Sequence, residues 1–111
     1  MKIYDNFEKA HKHFKFPGSH RVGALSKDKY IIRIYSNSVS KPDYFNKSKT
    51  QFFYTLKSQL VKQKFLNNKK DNIPVKVFTK DLLLSKVIYH GKFEVIGIRE
   101  FGKYVLLQKI H

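Results

Sequence analysis

The sequence predicts an α+β domain, a curved or barrel-like, mostly antiparallel sheet carrying one main helix. Three observations lead there. Runs rich in β-branched and aromatic residues recur at strand length along the chain. One segment, at about 55–68, lacks Gly and Pro and consists mostly of good helix formers. Finally, 41% of the 111 residues are hydrophobic, which supplies one core and suits a single domain over 1–111.

Taken in order, residues 1–17 read as a polar N-terminal segment, flexible or partly helical, with one helical turn around Phe7–His11 that stops at Pro17-Gly18. KYIIRIYS (29–36) is a strand, and strict alternation sends Tyr30, Ile32, Ile34 and Ser36 to one face and Ile31, Arg33 and Tyr35 to the other. Ser, Asn, Pro and Asp dominate 37–50, which reads as a long loop of the kind that carries function. QFFYT (51–55) is a short strand leading into the helix, where Leu56, Leu60, Gln63 and Asn67 share a stripe expected to face inward. Three further strand segments follow: 73–79, 85–98 with a hairpin turn at His90-Gly91, and 103–110. Pro74 lacks a ladder donor and belongs at a strand start or an edge.

Composition excludes several classes. No run of eighteen apolar residues exists, so no membrane span is expected, and the acid-bearing start lacks a signal-peptide core. The absence of cysteine excludes disulfides and thiolate metal sites and suits a reducing, intracellular compartment, cytoplasm or nucleus. His11, His13, His20, His90 and His111 form no metal-binding motif, and there is no HExxH, Gly-rich phosphate loop or paired-acid cluster. No metal, no cofactor and no catalytic activity are expected.

Charge is the strongest functional signal. Lys plus Arg number 23 against 8 acids, a net charge of +15 that attracts polyanions. Lys41, Lys47 and Lys49 surround Tyr44 and Phe45, and Phe52, Phe53 and Tyr54 follow at once. Aromatics stack on exposed bases while lysines hold phosphates, so this interleaving points to nucleic acid. The helix lysines 57, 62 and 64, with Lys69 and Lys70 at its exit, read by themselves as a solvated face.

The series Tyr44-x-Asn46, Phe53-Tyr54-Thr55, Gln59, Gln63 and Asn67, Ile73-Pro74-Val75-x-Val77-Phe78 and Tyr89-x-Gly91-x-Phe93-x-Val95 resembles the SRA (YDG) family. Within it the pattern is most similar to the domains of McrA-type HNH restriction endonucleases, over about residues 30–110. Asn46 stands where the family has an acid, and Thr55-Leu56-Lys57-Ser58-Gln59 replaces a glycine-rich stretch, leaving Gln63 at the family's Gln. The resemblance implies a PUA/SRA-like fold and DNA binding without catalysis, extending to a modified or flipped base.

On that basis the base pocket is expected at His20, Arg21, Tyr35, Ser36, Tyr44, Phe45, Asn46, Tyr54 and Gln63. Phosphate contacts are expected from Arg33, Lys41, Lys47, Lys49, Lys57, Lys62, Lys64, Lys69 and Lys70. DNA is favoured over RNA as the partner. The alternatives are an RNA-binding PUA-like module and a small phage or viral protein that inhibits a nucleic-acid enzyme by binding it.

Overall fold

A computed structural model describes residues 2–16, 18, 20–27, 30–37, 43–81, 83 and 85–110, with backbone alone at 25–27 and 30–32. Ten elements appear in it: β1 Lys2–Tyr4, α1 Phe7–His13, β2 Gly23–Lys27, β3 Tyr30–Ser36, β4 Tyr44–Phe45, β5 Gln51–Thr55, α2 Gln59–Asp71, β6 Val75–Asp81, β7 Lys86–Arg99 and β8 Tyr104–Lys109. The strands form one sheet in the order β2-β3-β6-β7-β8-β5-β4, with β1 added against β7. Among these strands only β3 and β6 run parallel. The α+β architecture and its mostly antiparallel sheet therefore stand, and the sheet is open rather than closed into a barrel.

The helix begins at Gln59 because Ser58 caps it, its hydroxyl accepting from Val61 N–H at 3.1 Å. It ends where Asn72 turns left-handed, a conformation that Asn tolerates. Its inward stripe differs from the expected one. Phe65 and Asn68 are fully buried with Val61 packed beside them, whereas Leu60 is 67% exposed and Gln63 faces solvent. The Asn68 amide donates to Ile73 O, so the buried polar position of the helix is satisfied locally.

Two cores flank the sheet. On the α2 side Ile34, Phe52, Tyr54, Val75, Val77, Phe93, Val95, Val105 and Leu107 close around Phe65. On the α1 side Tyr35, Phe78 and Val87 close around Phe7 and Ala10. The N-terminal segment is thus part of the fold, capped by Asn6 accepting from Lys9 N–H.

The expected hairpin at His90-Gly91 is absent. β7 is one continuous 14-residue strand. Val77 pairs with Gly91 and Phe78 with Tyr89, so His90 is the extra residue of a β-bulge, and Gly91 takes φ +101. Glycine serves a bulge and a turn for the same reason, its freedom at positive φ. Pro74 precedes β6 directly, at the strand start where a missing donor does no harm.

Candidate nucleic-acid interface

Position 36 opens the site. Ser36 lies beside Ile34 on the α2 side of β3, and its hydroxyl donates to the Asp43 carboxylate at 2.6 Å. Asp43 is buried just before β4, and its other oxygen accepts from Thr55 N–H at 2.8 Å. A carboxylate has about four lone-pair directions, and these two bonds occupy two of them. The Thr55 side chain, by alternation along β5, shares the opposite face with Phe53 and Tyr104, so Thr55 serves this site through its backbone alone.

Ser36 pairs across the parallel ladder with Thr79, whose hydroxyl meets His90 Nε2 at 2.5 Å. The bulge puts His90 here, with its ring 4.6 Å from that of Phe45. Burial, helped by the positive charges of Lys49 and Lys109, pushes the His90 imidazole down to about 4. It is neutral at physiological pH and offers one donor and one acceptor. Tyr54 closes the wall against Phe65, and burial, then the Asp43 charge, raises its phenol well above the ordinary range.

Cations flank this face at both ends of β5, roughly 14 Å apart at a strand's rise per residue. At one end Lys2, Lys49 and Lys109, with Ser48, Thr50 and His90, line a cavity of about 500 Å³. At the other end Lys57 and Lys62 border a cavity of about 330 Å³ beside Phe101. On the opposite face of β4 and β5, Tyr44 stacks on Phe53 at 4.7 Å and meets Tyr104 edge-on at 5.6 Å. Among the described residues no three His, Asp or Glu side chains gather to hold a metal ion, and no helix is long and apolar enough to cross a membrane.

The residues expected in the pocket divide. Ser36, Phe45 and Tyr54 meet on the α2 side, whereas Tyr44 lies on the aromatic patch of the opposite face. Tyr35 does not join them. It is fully buried on the opposite face, stacked on Phe7 at 4.9 Å with its hydroxyl 3.1 Å from His11 Nδ1, and burial pushes its phenol up to about 12. His20 and Arg21 are exposed, and the His20 ring approaches the same His11 at 6.1 Å. Tyr44 and Phe45 are half-buried in a strand, not in a polar loop. Asn46 closes the β4–β5 turn, its side chain accepting from Thr50 and Gln51 N–H and donating to the Thr50 hydroxyl. Gln63 bonds Asn67 on the outer face of α2.

The expected phosphate contacts divide likewise. Arg33 is 1% exposed, its guanidinium 4.8 Å above the Phe16 ring and bonded to Tyr35, so it is structural. Lys47, Lys49 and Lys57 are exposed, Lys62 and Lys64 half-buried. Lys69 and Lys70 are exposed at the far end of α2, where Lys69 borders a different cavity of about 310 Å³. Lys41 lies outside the described residues. Asp43, Thr79 and His90 were not anticipated. A lone Asp in a polar stretch and a His before Gly carry no sequence signal that separates them from turn residues.

No protein-family model matches the sequence, and no curated protein sequence matches it. Solved structures do match in three dimensions. The SUVH5 SRA domain in complex with hemi-methylated CG DNA aligns with a TM-score of 0.68 at 17% identity, over 96% of this chain and 83% of that one. Its complex with fully methylated CG DNA gives 0.67 at 17%, over 95% and 84%. The complex with methylated CHH DNA gives 0.62 at 16%, over 95% and 84%. The chain therefore has an SRA-like fold.

Proposed function

We propose that this chain is a non-catalytic DNA-binding domain that takes one base out of the stack and reads it on the α2 side of the sheet. The observation that carries the reading is the buried Asp43 carboxylate, which among the described residues accepts only from the Ser36 hydroxyl and Thr55 N–H. About two of its four lone-pair directions are thereby left for a ligand. A carboxylate accepts from an exocyclic amino group, which selects cytosine or adenine over thymine or guanine read at its carbonyl edge. Phe45, Tyr54 and the neutral His90 supply the walls, and the lysine groups at both ends of β5 hold the backbone.

The SRA-like fold supports the same reading, because the matching structures are named as complexes with methylated DNA. Methylated cytosine is accordingly the first base to test. The net charge of +15 supports a polyanion as partner. Kinship with the McrA-type domains, an intracellular setting and a single domain over 1–111 belong to the same proposal and rest on the sequence.

Binding titrations with methylated duplex, unmethylated duplex and structured RNA across a salt series test it. Affinity for DNA is expected to fall by orders of magnitude between roughly 50 and 200 mM salt, as counterion release requires. Methylated duplex is expected to bind tightest at every salt concentration. Preference for RNA, or undetectable binding to any nucleic acid at low salt, would overturn the proposal.

A further inference from the structure

The turn between β7 and β8 holds a residue that the fold does not use. Lys103 N–H donates to Glu100 O, closing a turn whose two central residues, Phe101 and Gly102, both have positive φ. Glu100 before them is left-handed too (φ +52), and such positions favour Gly or Asn. A bulky Phe at φ +56 is sterically disfavoured, and its side chain is completely exposed. Phe101 thus helps neither the turn nor the core.

The turn is nevertheless held in place. Leu56 N–H donates to Lys103 O at 2.9 Å, tying it to the approach to α2. Cations surround the tip. The Lys62 ammonium lies beside Gly102, and Lys57 borders the same cavity as Phe101. Lys103 follows in the turn, with its ammonium over the Tyr104 ring, and Glu100 is the one acid in the turn. An exposed ring on a rigid mount within a lysine cluster fits a partner that is both polyanionic and aromatic. Unpaired or unstacked nucleotides meet both requirements, since every base has a π-face and every nucleotide a phosphate.

We infer that Phe101 is a second stacking contact, separate from the Asp43 pocket, that receives an unstacked base of the strand held by Lys57, Lys62 and Lys103. The inference rests on the DNA-binding reading above and adds to it a site at the far side of the aromatic patch. Its consequence is that the strand is distorted at two places, at the base read by Asp43 and at the base lying on Phe101.

The chain contains no tryptophan, so Phe101→Trp places a single reporter at the tip. The indole emission of that variant, solvent-exposed in the free protein, is expected to be quenched on titration with single-stranded DNA and with duplex. Phe101→Ala is expected to melt with the parent and to bind about five- to 140-fold more weakly, the range of one lost base–aromatic stack. Phe101→Leu keeps apolar area without the π-face and is expected to bind as weakly as the alanine variant. Unquenched emission of the Phe101→Trp variant at saturating DNA overturns the inference. So does full affinity for DNA in Phe101→Ala or in Phe101→Leu, the latter showing that the π-face is not used. Loss of nucleic-acid binding by the parent chain would be the failure of the underlying reading, whereas a parent that binds and an alanine variant that binds equally well refutes Phe101 alone.

Discussion

Tyr35 and Ser36 are consecutive on β3 and face opposite sides of the sheet, and the two sides are built on different chemistry. Behind the sheet, Tyr35 meets Phe7, Phe78 and His11, and aromatic rings fill the space up to α1. In front, Ser36 meets Asp43, Asp43 also accepts from Thr55 N–H, and the Thr79 hydroxyl meets His90. Burial alone does not distinguish them, since Tyr35 and Ser36 are equally inaccessible. What distinguishes them is what fills them: rings close the α1 side, while the Asp43 carboxylate keeps acceptor capacity open on the α2 side.

The largest expected effect breaks the closed side. Phe78→Ala removes a fully buried ring that touches Phe14, Tyr35 and Tyr89, and it is expected to cost about 3–5 kcal/mol in urea unfolding. Affinity per folded molecule for DNA should nevertheless be unchanged. A folded Phe78→Ala that binds weakly would place the binding surface behind the sheet.

The next effect is a pH dependence from the open side. The His90 imidazole is held at about 4, whereas in the unfolded chain it titrates near 6.5. Between those values the unfolded state binds the extra proton, so stability contributed by His90 is complete above about 6.5 and is lost as pH falls toward 4. The loss amounts to about 3 kcal/mol. His11, lowered by burial and by Arg33 on the α1 side, acts in the same sense. His90→Gln should therefore flatten the acid limb of a stability–pH profile without removing it. An unchanged limb would mean that His90 is solvated.

The smallest effect sharpens the boundary of the site. Asn46→Ala removes the acceptor that closes the β4–β5 turn and should lower stability by about 1 kcal/mol, the usual worth of such a side-chain cap. Discrimination between bases should persist in this variant, because Asn46 stabilises the turn and does not reach the pocket. A change in base preference would return Asn46 to the pocket.

The fold was legible where one local signal had one meaning. Alternation in 29–36 sorts Ile34 and Ser36 from Arg33 and Tyr35 as the strand does. QFFYT is β5 to the residue. Legibility ended where one signal had two meanings. Gly91 permits a bulge as readily as a hairpin, and only its pairing with Val77 separates them. Arg33 looks like a surface cation until Phe16, distant in sequence and stacked beneath the guanidinium, is brought to it by α1. The site followed the same rule. Ser36, Phe45 and Tyr54 lie on predicted strands or next to aromatic runs, whereas Asp43, Thr79 and His90 gain meaning only through partners on other strands.

The central claim is that the Asp43 side of the sheet receives an extruded base, and one competition measures it directly. Two duplexes differ only in whether a target cytosine is paired with guanine or faces an abasic site, where extrusion costs little. The parent chain should bind the unpaired-cytosine duplex at least about tenfold more tightly, since a few kcal/mol of unpairing is no longer spent. Asp43→Ala should bind both equally while remaining folded. Equal affinity of the parent for the two duplexes, or a preference that survives in Asp43→Ala, would contradict the account.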